Sequence, residues 1–314
     1  MGILVTGAAG QLGAELCRIL GNDATGVDVD TLELTDRAAV LATLDRLSPR
    51  AVIHCAAYTQ VDKAETDVAL CRAVNATAVE TLAAGCCKLD IPLVHISTDY
   101  LYAGRAGIGR PWREDDPPLP KGVYAETKYE GELAARAWKK HLVVRTCGLY
   151  ARPSHLAGHN FVRTILRLAG TKPKLRVVDD QTCTPSYVPH VAQAIAFLLG
   201  LQPCGTGVPP ATGIAGGTPA PQLFAVPAPW GIYNVTNRGE TTWCGFAREI
   251  VRLAGSEVPV EPITTAEFGA PAPRPTYSVL DTAAYHRLGG PAMPDWKEAL
   301  GEYFEELKQV EGTI

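Results

Sequence analysis

Residues 2–13 read Gly2-Ile3-Leu4-Val5-Thr6-Gly7-Ala8-Ala9-Gly10-Gln11-Leu12-Gly13, and residues 14–20 continue as Ala14-Glu15-Leu16-Cys17-Arg18-Ile19-Leu20. A short apolar run leads into three evenly spaced glycines and then into a helical pattern. Strand, glycine loop and helix in that order are the setting a dinucleotide-binding turn requires. Gly7 permits the tight turn, Gly10 lets the backbone approach a pyrophosphate, and Gly13 lets the helix pack on the strand. Gln11 and Leu12 lie in the same turn, where a helix N-terminus presents unpaired N–H groups to phosphate. The spacing is G-x-x-G-x-x-G rather than G-x-G-x-x-G, so a glycine-rich turn in another α/β fold is the competing reading.

Outward from this turn the chain alternates regularly. Strands are expected at 25–28, 51–54, 93–97 and 141–146, a helix at 37–47 capped by Asp36, and a long helix from Val68 to Leu89 that Asn75 interrupts. Such alternation predicts an α/β fold with a Rossmann-like doubly wound parallel sheet and a smaller C-terminal substrate-binding domain. Asp28, fifteen residues after Gly13, ends the second strand. An acid there typically accepts hydrogen bonds from the adenosine ribose and disfavours a 2′-phosphate, which leans toward NADH over NADPH. Asp30 competes for that role, and either acid could simply cap a turn. Ala56, Ala57 and Tyr58 end the third strand, where small residues suit either a passing cofactor or tight strand–helix packing. His54 reads as a core histidine.

Composition excludes several classes. The chain has 314 residues, a net charge of −4 and no apolar run long enough to span a bilayer. It offers no electrostatic case for nucleic acid or an anionic membrane, and its N-terminus shows no signal-peptide pattern. The nine cysteines are odd in number and form no C-x-x-C pair, as expected of reduced thiols in a cytoplasmic protein, with no metal site. Residues 202–229, rich in Pro, Gly, Ala and Thr, read as a flexible insertion, either a peripheral excursion or a lid. Residues 259–275 are proline-rich and read as loops. Helices are expected at 160–169, 188–199 and 296–310, with Thr241 or Thr242 capping another that ends at Leu253. The domain division expected is 1–146 plus 188–235 for the cofactor and 147–187 plus 236–314 for the substrate.

The chemistry lies in Tyr124-Ala125-Glu126-Thr127-Lys128 and in Ser97-Thr98-Asp99-Tyr100 before it. Tyr124 and Lys128, four apart, share one helix face. An ammonium beside a phenol favours the phenolate and lowers its pKa from about 10. A phenol so tuned can protonate an alkoxide as it forms, with the Thr98 hydroxyl on the same substrate oxygen. On its own this spacing also fits an ordinary amphipathic helix.

Together the glycine turn, the Ser/Thr at a strand end and the Y-x-x-x-K helix resemble extended short-chain dehydrogenases/reductases. Gly10-Gln-Leu-Gly13, Ala56-Ala-Tyr-Thr-Gln-Val-Asp-Lys-Ala-Glu65, Ile96-Ser-Thr-Asp-Tyr100, Tyr124-Ala-Glu-Thr-Lys128, Asn160-Phe161, Asp180-Gln181, Arg274-Pro275 and Ser278-x-Leu-Asp281 are similar to the dTDP-4-dehydrorhamnose reductase family over nearly the whole chain. The resemblance implies NADPH or NADH reduction of the C4 ketone of a dTDP-sugar, in the making of dTDP-L-rhamnose for surface polysaccharide. It implies Tyr124 as general acid, Lys128 as its tuner and ribose holder, and Thr98 as the group orienting the ketone. Asp99, Tyr100 and Val61 would line the sugar pocket. Asn160 and Arg274 would face the sugar-nucleotide phosphates, although a loop arginine can equally be a solvated charge. A homodimer is compatible with the resemblance. Gly148 stands where the family usually has a Trp that packs on the sugar, so a related nucleotide-sugar reductase or epimerase stays open. So does a non-catalytic relative, since the family includes a regulatory subunit of methionine adenosyltransferase.

Overall fold

A computed structural model describes residues 2–153, 160–201 and 228–311. The expected insertion at 202–229, except its last two residues, and Cys204 lie outside the described residues. Five strands follow the expected positions closely: β1 (Ile3–Thr6), β2 (Ala24–Val27), β3 (Ala51–His54), β4 (Leu93–Thr98) and β5 (His141–Thr146). With the edge strand Gly231–Asn234 they form one parallel sheet in the order Gly231–Asn234, β5, β4, β3, β1, β2. The chain steps from β1 outward to β2 and then back across to β3. The crevice above the β1/β3 boundary is therefore the topological switch point, where open parallel sheets bind ligands.

Alternation along the strands feeds two cores. Ile3 and Val5 pack with Leu12, Leu16 and Ile19 of the helix Gln11–Leu20 and with Val191 and Ile195 of the helix Val188–Leu198. Leu4, facing the other way, packs with Val40 and Leu44 of Arg37–Leu47 and Val79 and Leu82 of Ala78–Leu89. A strand buried on both faces reads as a continuous apolar run, which is why β1 and β3 were legible. A third core gathers Tyr150, Ile165, Tyr187, Phe246, Ile250, Tyr303 and Leu307. It lies between the helices Phe161–Ala169, Trp243–Leu253 and Trp296–Glu311.

Two expectations need correcting. The single helix expected from Val68 to Leu89 is three pieces: Val68–Arg72, a π-helical turn at Ala73–Thr77, and Ala78–Leu89. Asn75 lies in the π turn and is buried. Its Oδ1 accepts the Tyr58 N–H at 2.8 Å, and its Nδ2 donates to the Tyr58 carbonyl and to Thr127 Oγ1, both at 3.2 Å. The extra residue of the π turn thus aims a polar side chain at the helix Val123–Arg136 instead of along its own. Residues 259–275 are not all loop: Val260–Ile263 pairs with Leu175–Val178, and Thr264 caps the short helix Thr265–Phe268 in a capping box with Glu267. Among the described residues no helix is long and apolar enough to cross a membrane.

Candidate active site

The helix Gln11–Leu20 begins at Gly10 with no side-chain cap and no acid in its first turn, leaving its N–H groups for an anion. A Cβ on Gly13 would lie 2.1 Å from the Gly7 carbonyl oxygen, so only glycine lets this helix start so close to β1. The Ala9 N–H donates to Asp28 Oδ2 at 2.8 Å, and Val29 N–H to its Oδ1 at 2.8 Å. Gln11 reaches across to accept the Ala151 N–H at 2.8 Å.

A groove of about 1010 Å³ runs from this turn over the strand ends. Its walls include Gly7, Gly10, Gln11, Leu12, Gly13, Asp28, Ala56, Ala57 and Tyr58 toward one end, and Val61, Thr98, Asp99, Tyr100, Tyr124 and Lys128 toward the other. Asp30 is not in the wall, so of the two competing acids the groove takes Asp28. Lys128 is the one Lys or Arg among the described wall residues, and Glu33 joins Asp28 at the far end. Leu70 and Val74 add an apolar wall that the sequence did not single out. The groove's size, its glycine cradle and its uncapped helix start fit a dinucleotide.

Tyr124 and Lys128, the expected catalytic pair, sit on the helix Val123–Arg136. Lys128 is buried and its Nζ donates to the Ile96 carbonyl at 2.6 Å. Burial pulls its pKa down to about 8, with the Glu132 carboxylate opposing. Tyr124 departs from expectation. Burial pushes its phenol well above the ordinary range, and the Thr98 hydroxyl bonded to it opposes the shift only in part. The expected depression by Lys128 is not seen, and the Lys128 amine is turned to the Ile96 carbonyl. The Tyr100 ring stands edge-on to the Tyr124 ring, centroids 5.3 Å apart.

Asp99 is buried beneath Thr98. It accepts the Thr98 hydroxyl at 3.2 Å and the Cys147 thiol at 2.9 Å, and burial raises its pKa. Its carboxylate orients the Thr98 hydroxyl, a role no local sequence pattern announces. Asn160 is not in the groove wall. Its Oδ1 is committed to the Arg163 N–H at 3.0 Å as the cap of its own helix. Arg274 is also outside the wall, held by both oxygens of Asp62 at 3.0 and 2.8 Å. Gly148 is in the wall, at φ 55°, and the tip of the Trp243 ring lies 3.4 Å from where its Cβ would be. An indole from another element thus stands against the position that lacks one. His54 is buried as expected, bonded to Thr6 at 2.7 Å and stacked on His95.

A glycine-turned groove at the switch point of a parallel sheet, with Thr98, Tyr124 and Lys128 along one wall, defines a Rossmann-type reductase or epimerase. Residues 1–208 and 218–309 match the model of the RmlD substrate binding domain. The chain is 37% identical to a dTDP-4-dehydrorhamnose reductase of Streptomyces griseus, over 97% of this chain and 93% of that one. It is 37% identical to a probable dTDP-4,6-dihydroxy-2-methyloxan-3-one 4-ketoreductase of Streptomyces antibioticus, over 98% and 96%. The crystal structure of dTDP-4-dehydrorhamnose reductase from Bacillus anthracis in complex with NADP superimposes with a TM-score of 0.82 at 33% identity, covering 98% of this chain and all of that one. The chain belongs to the dTDP-4-dehydrorhamnose reductase family.

Proposed function

We propose that the protein reduces the C4 ketone of dTDP-4-dehydro-L-rhamnose to give dTDP-L-rhamnose. The observation that carries the reading is that the glycine turn, Thr98, Tyr124 and Lys128 share one groove in a chain of this family. The segments 1–146 and 188–235 would hold the cofactor, and 147–187 with 236–314 the sugar nucleotide. When bound, the reduced nicotinamide supplies the hydride that arrives at C4. The chain's own residues handle the oxygen. Thr98, whose single hydroxyl hydrogen rests on Asp99 in the free protein, turns it to the ketone oxygen and fixes that oxygen beside Tyr124. The Tyr124 phenol is protonated at neutral pH, as a phenol ordinarily is, and is the proton donor. The proton passes from the Tyr124 oxygen to the C4 oxygen as charge develops there. The phenolate left behind is stabilised by the Lys128 ammonium one helical turn away, which spends one N–H on the Ile96 carbonyl and also positions the ribose.

The test is turnover of dTDP-4-dehydro-L-rhamnose by the purified chain, followed by loss of NADH or NADPH absorbance. Oxidation of either cofactor is expected, and none with either would remove the reading. A second reading is reduction of a related dTDP-4-keto sugar. It is favoured by Gly148 in the groove wall and by the similarity to the Streptomyces antibioticus ketoreductase. A panel of dTDP-4-keto sugars ranked by kcat/KM decides between them.

A further inference from the structure

Asp62 and Glu65, in the stretch Val61-Asp62-Lys63-Ala64-Glu65, remain without a chemical role, and Arg274, expected at the phosphates, lies outside the groove wall. In the structure Asp62 and Arg274 meet. Asp62, on the helical turn Val61–Ala64, accepts the Arg274 Nη1 at 3.0 Å and Nη2 at 2.8 Å, and also the Ala272 N–H at 3.2 Å. Arg274 spends a further donor on the Ala272 carbonyl at 3.0 Å. Pro273, next to Arg274 in the chain, packs against Gly122, the residue before the helix that carries Tyr124. A guanidinium has five N–H donors. Here most are committed and the charge is already paired, which leaves little for a diphosphate.

The other acid of the stretch points at the catalytic helix. Glu65 Oε1 accepts the Val123 N–H at 2.9 Å, so it caps the helix one residue before Tyr124. The packing at this junction admits no extra atom. Gly122 has φ 90°, and a Cβ there would lie 2.9 Å from both Glu65 Oε1 and Pro273 Cδ. Three segments distant in sequence therefore converge beside Tyr124. One sets the start of its helix. The others pair Asp62 with Arg274 and seat Pro273 against Gly122 at that start, and the Tyr100 ring stands edge-on to Tyr124.

We propose that Asp62 and Arg274 form a clasp that positions the two phenols at the substrate end of the groove, with Asp62 a positioning residue for the reduction and Arg274 the anchor of the Pro273 contact on Gly122 rather than a phosphate ligand. The proposal deepens the reductase reading and rests on it for its kinetic consequence. Energy is not the point of the pair, because Asp62 is 44% exposed and such pairs contribute little to stability. Geometry is: displacing a reacting group by about 1 Å costs on the order of a hundredfold in rate.

The test uses the full chain carrying Asp62→Asn, Arg274→Ala and both together, labelled with ring-¹³C tyrosine. Without substrate, Asp62→Asn should shift the Tyr100 and Tyr124 resonances, and Arg274→Ala should shift the same two. In turnover, each single variant should lower kcat about ten- to hundredfold, while NADH affinity stays within about twofold of wild type, since neither residue is in the groove wall. The double variant should lose no more than the worse single one, as residues acting as a unit do. Unmoved tyrosine resonances would overturn the clasp, as would single effects that multiply. Arg274→Ala raising KM with kcat unchanged would restore Arg274 as a phosphate ligand and overturn it too. Should the wild type turn over no keto sugar, the reductase reading fails by itself, and the resonances still decide the clasp.

Discussion

Glu132 is fully buried, one helical turn past Lys128, and tests how the helix Val123–Arg136 is held. Its carboxylate takes two bonds from the Arg145 guanidinium, Nη2 at 2.6 Å and Nε at 3.0 Å, and a third from the Ser97 hydroxyl at 3.1 Å. Arg145 is only 1% exposed, so neither charge has water to fall back on. Replacing Glu132 with Gln keeps the shape and one acceptor. It also puts an NH2 group where Arg145 Nε and Ser97 both donate and strands a buried cation. Breaking one side of such a pair costs about 3–5 kcal/mol. Since Gln keeps one acceptor, the lower end applies, about 3 kcal/mol. At about 2 °C per kcal/mol for a chain this large, the melting point should fall about 6 °C. A control shows that burial, not distance, sets the size. Lys88 and Asp45 are as close, 2.8 Å, but are 64% and 49% exposed, so Lys88→Ala should cost less than about 1 kcal/mol. The Glu132 charge also supports the Lys128 ammonium. In Glu132→Gln, NADH binding should therefore weaken with rising pH at a lower pH than in wild type. Urea unfolding followed by circular dichroism measures the first effect, and NADH titration across pH the second. A loss below about 1 kcal/mol in Glu132→Gln would refute the reasoning.

Three further predictions follow from the groove and the core. Gly13→Ala should weaken NADH binding about tenfold or more, because relieving a Cβ 2.1 Å from a carbonyl oxygen costs about 1–3 kcal/mol; isothermal titration checks it. The wall near Asp28 holds acids and no cation, so NADH should be preferred to NADPH, and Asp28→Ala should narrow the gap in kcat/KM. Burial pushes the His54 pKa down to about 3 and the His95 pKa well below its usual value, so both are neutral when folded. Their stability is full above about pH 6.5 and is lost as pH falls, since the unfolded chain then binds the protons, at about 1.4 kcal/mol per histidine per unit. His95→Leu should flatten the decline in urea midpoint between about pH 6.5 and 5, and a decline as steep as wild type would contradict the assignment.

Much of this was legible because it is local. β1, β3 and β5 are buried runs with turn residues at both ends, and Asp36 and Thr242 cap helices where first-turn chemistry places them. The groove wall was readable because the sheet delivers strand ends to one edge, so Gly7, Asp28, Ala56 and Thr98 had to converge. What was not legible depends on distant partners. Glu65 caps a helix 58 residues away, and Asp62 meets Arg274 across 212 residues. The Tyr124 pKa was misjudged because sequence spacing reveals a neighbouring charge but not the burial that outweighs it. The π turn at Asn75 escaped notice because its apolar pattern differs from an ordinary helix by one residue.

The central claim is that the Tyr124 hydroxyl delivers the proton to a keto-sugar oxygen. Tyr124→Phe removes one oxygen and keeps the ring packed on Tyr100. Turnover of dTDP-4-dehydro-L-rhamnose should drop about a hundredfold or more, as loss of a general acid does, with NADH affinity unchanged. Wild-type turnover in that variant would contradict the account.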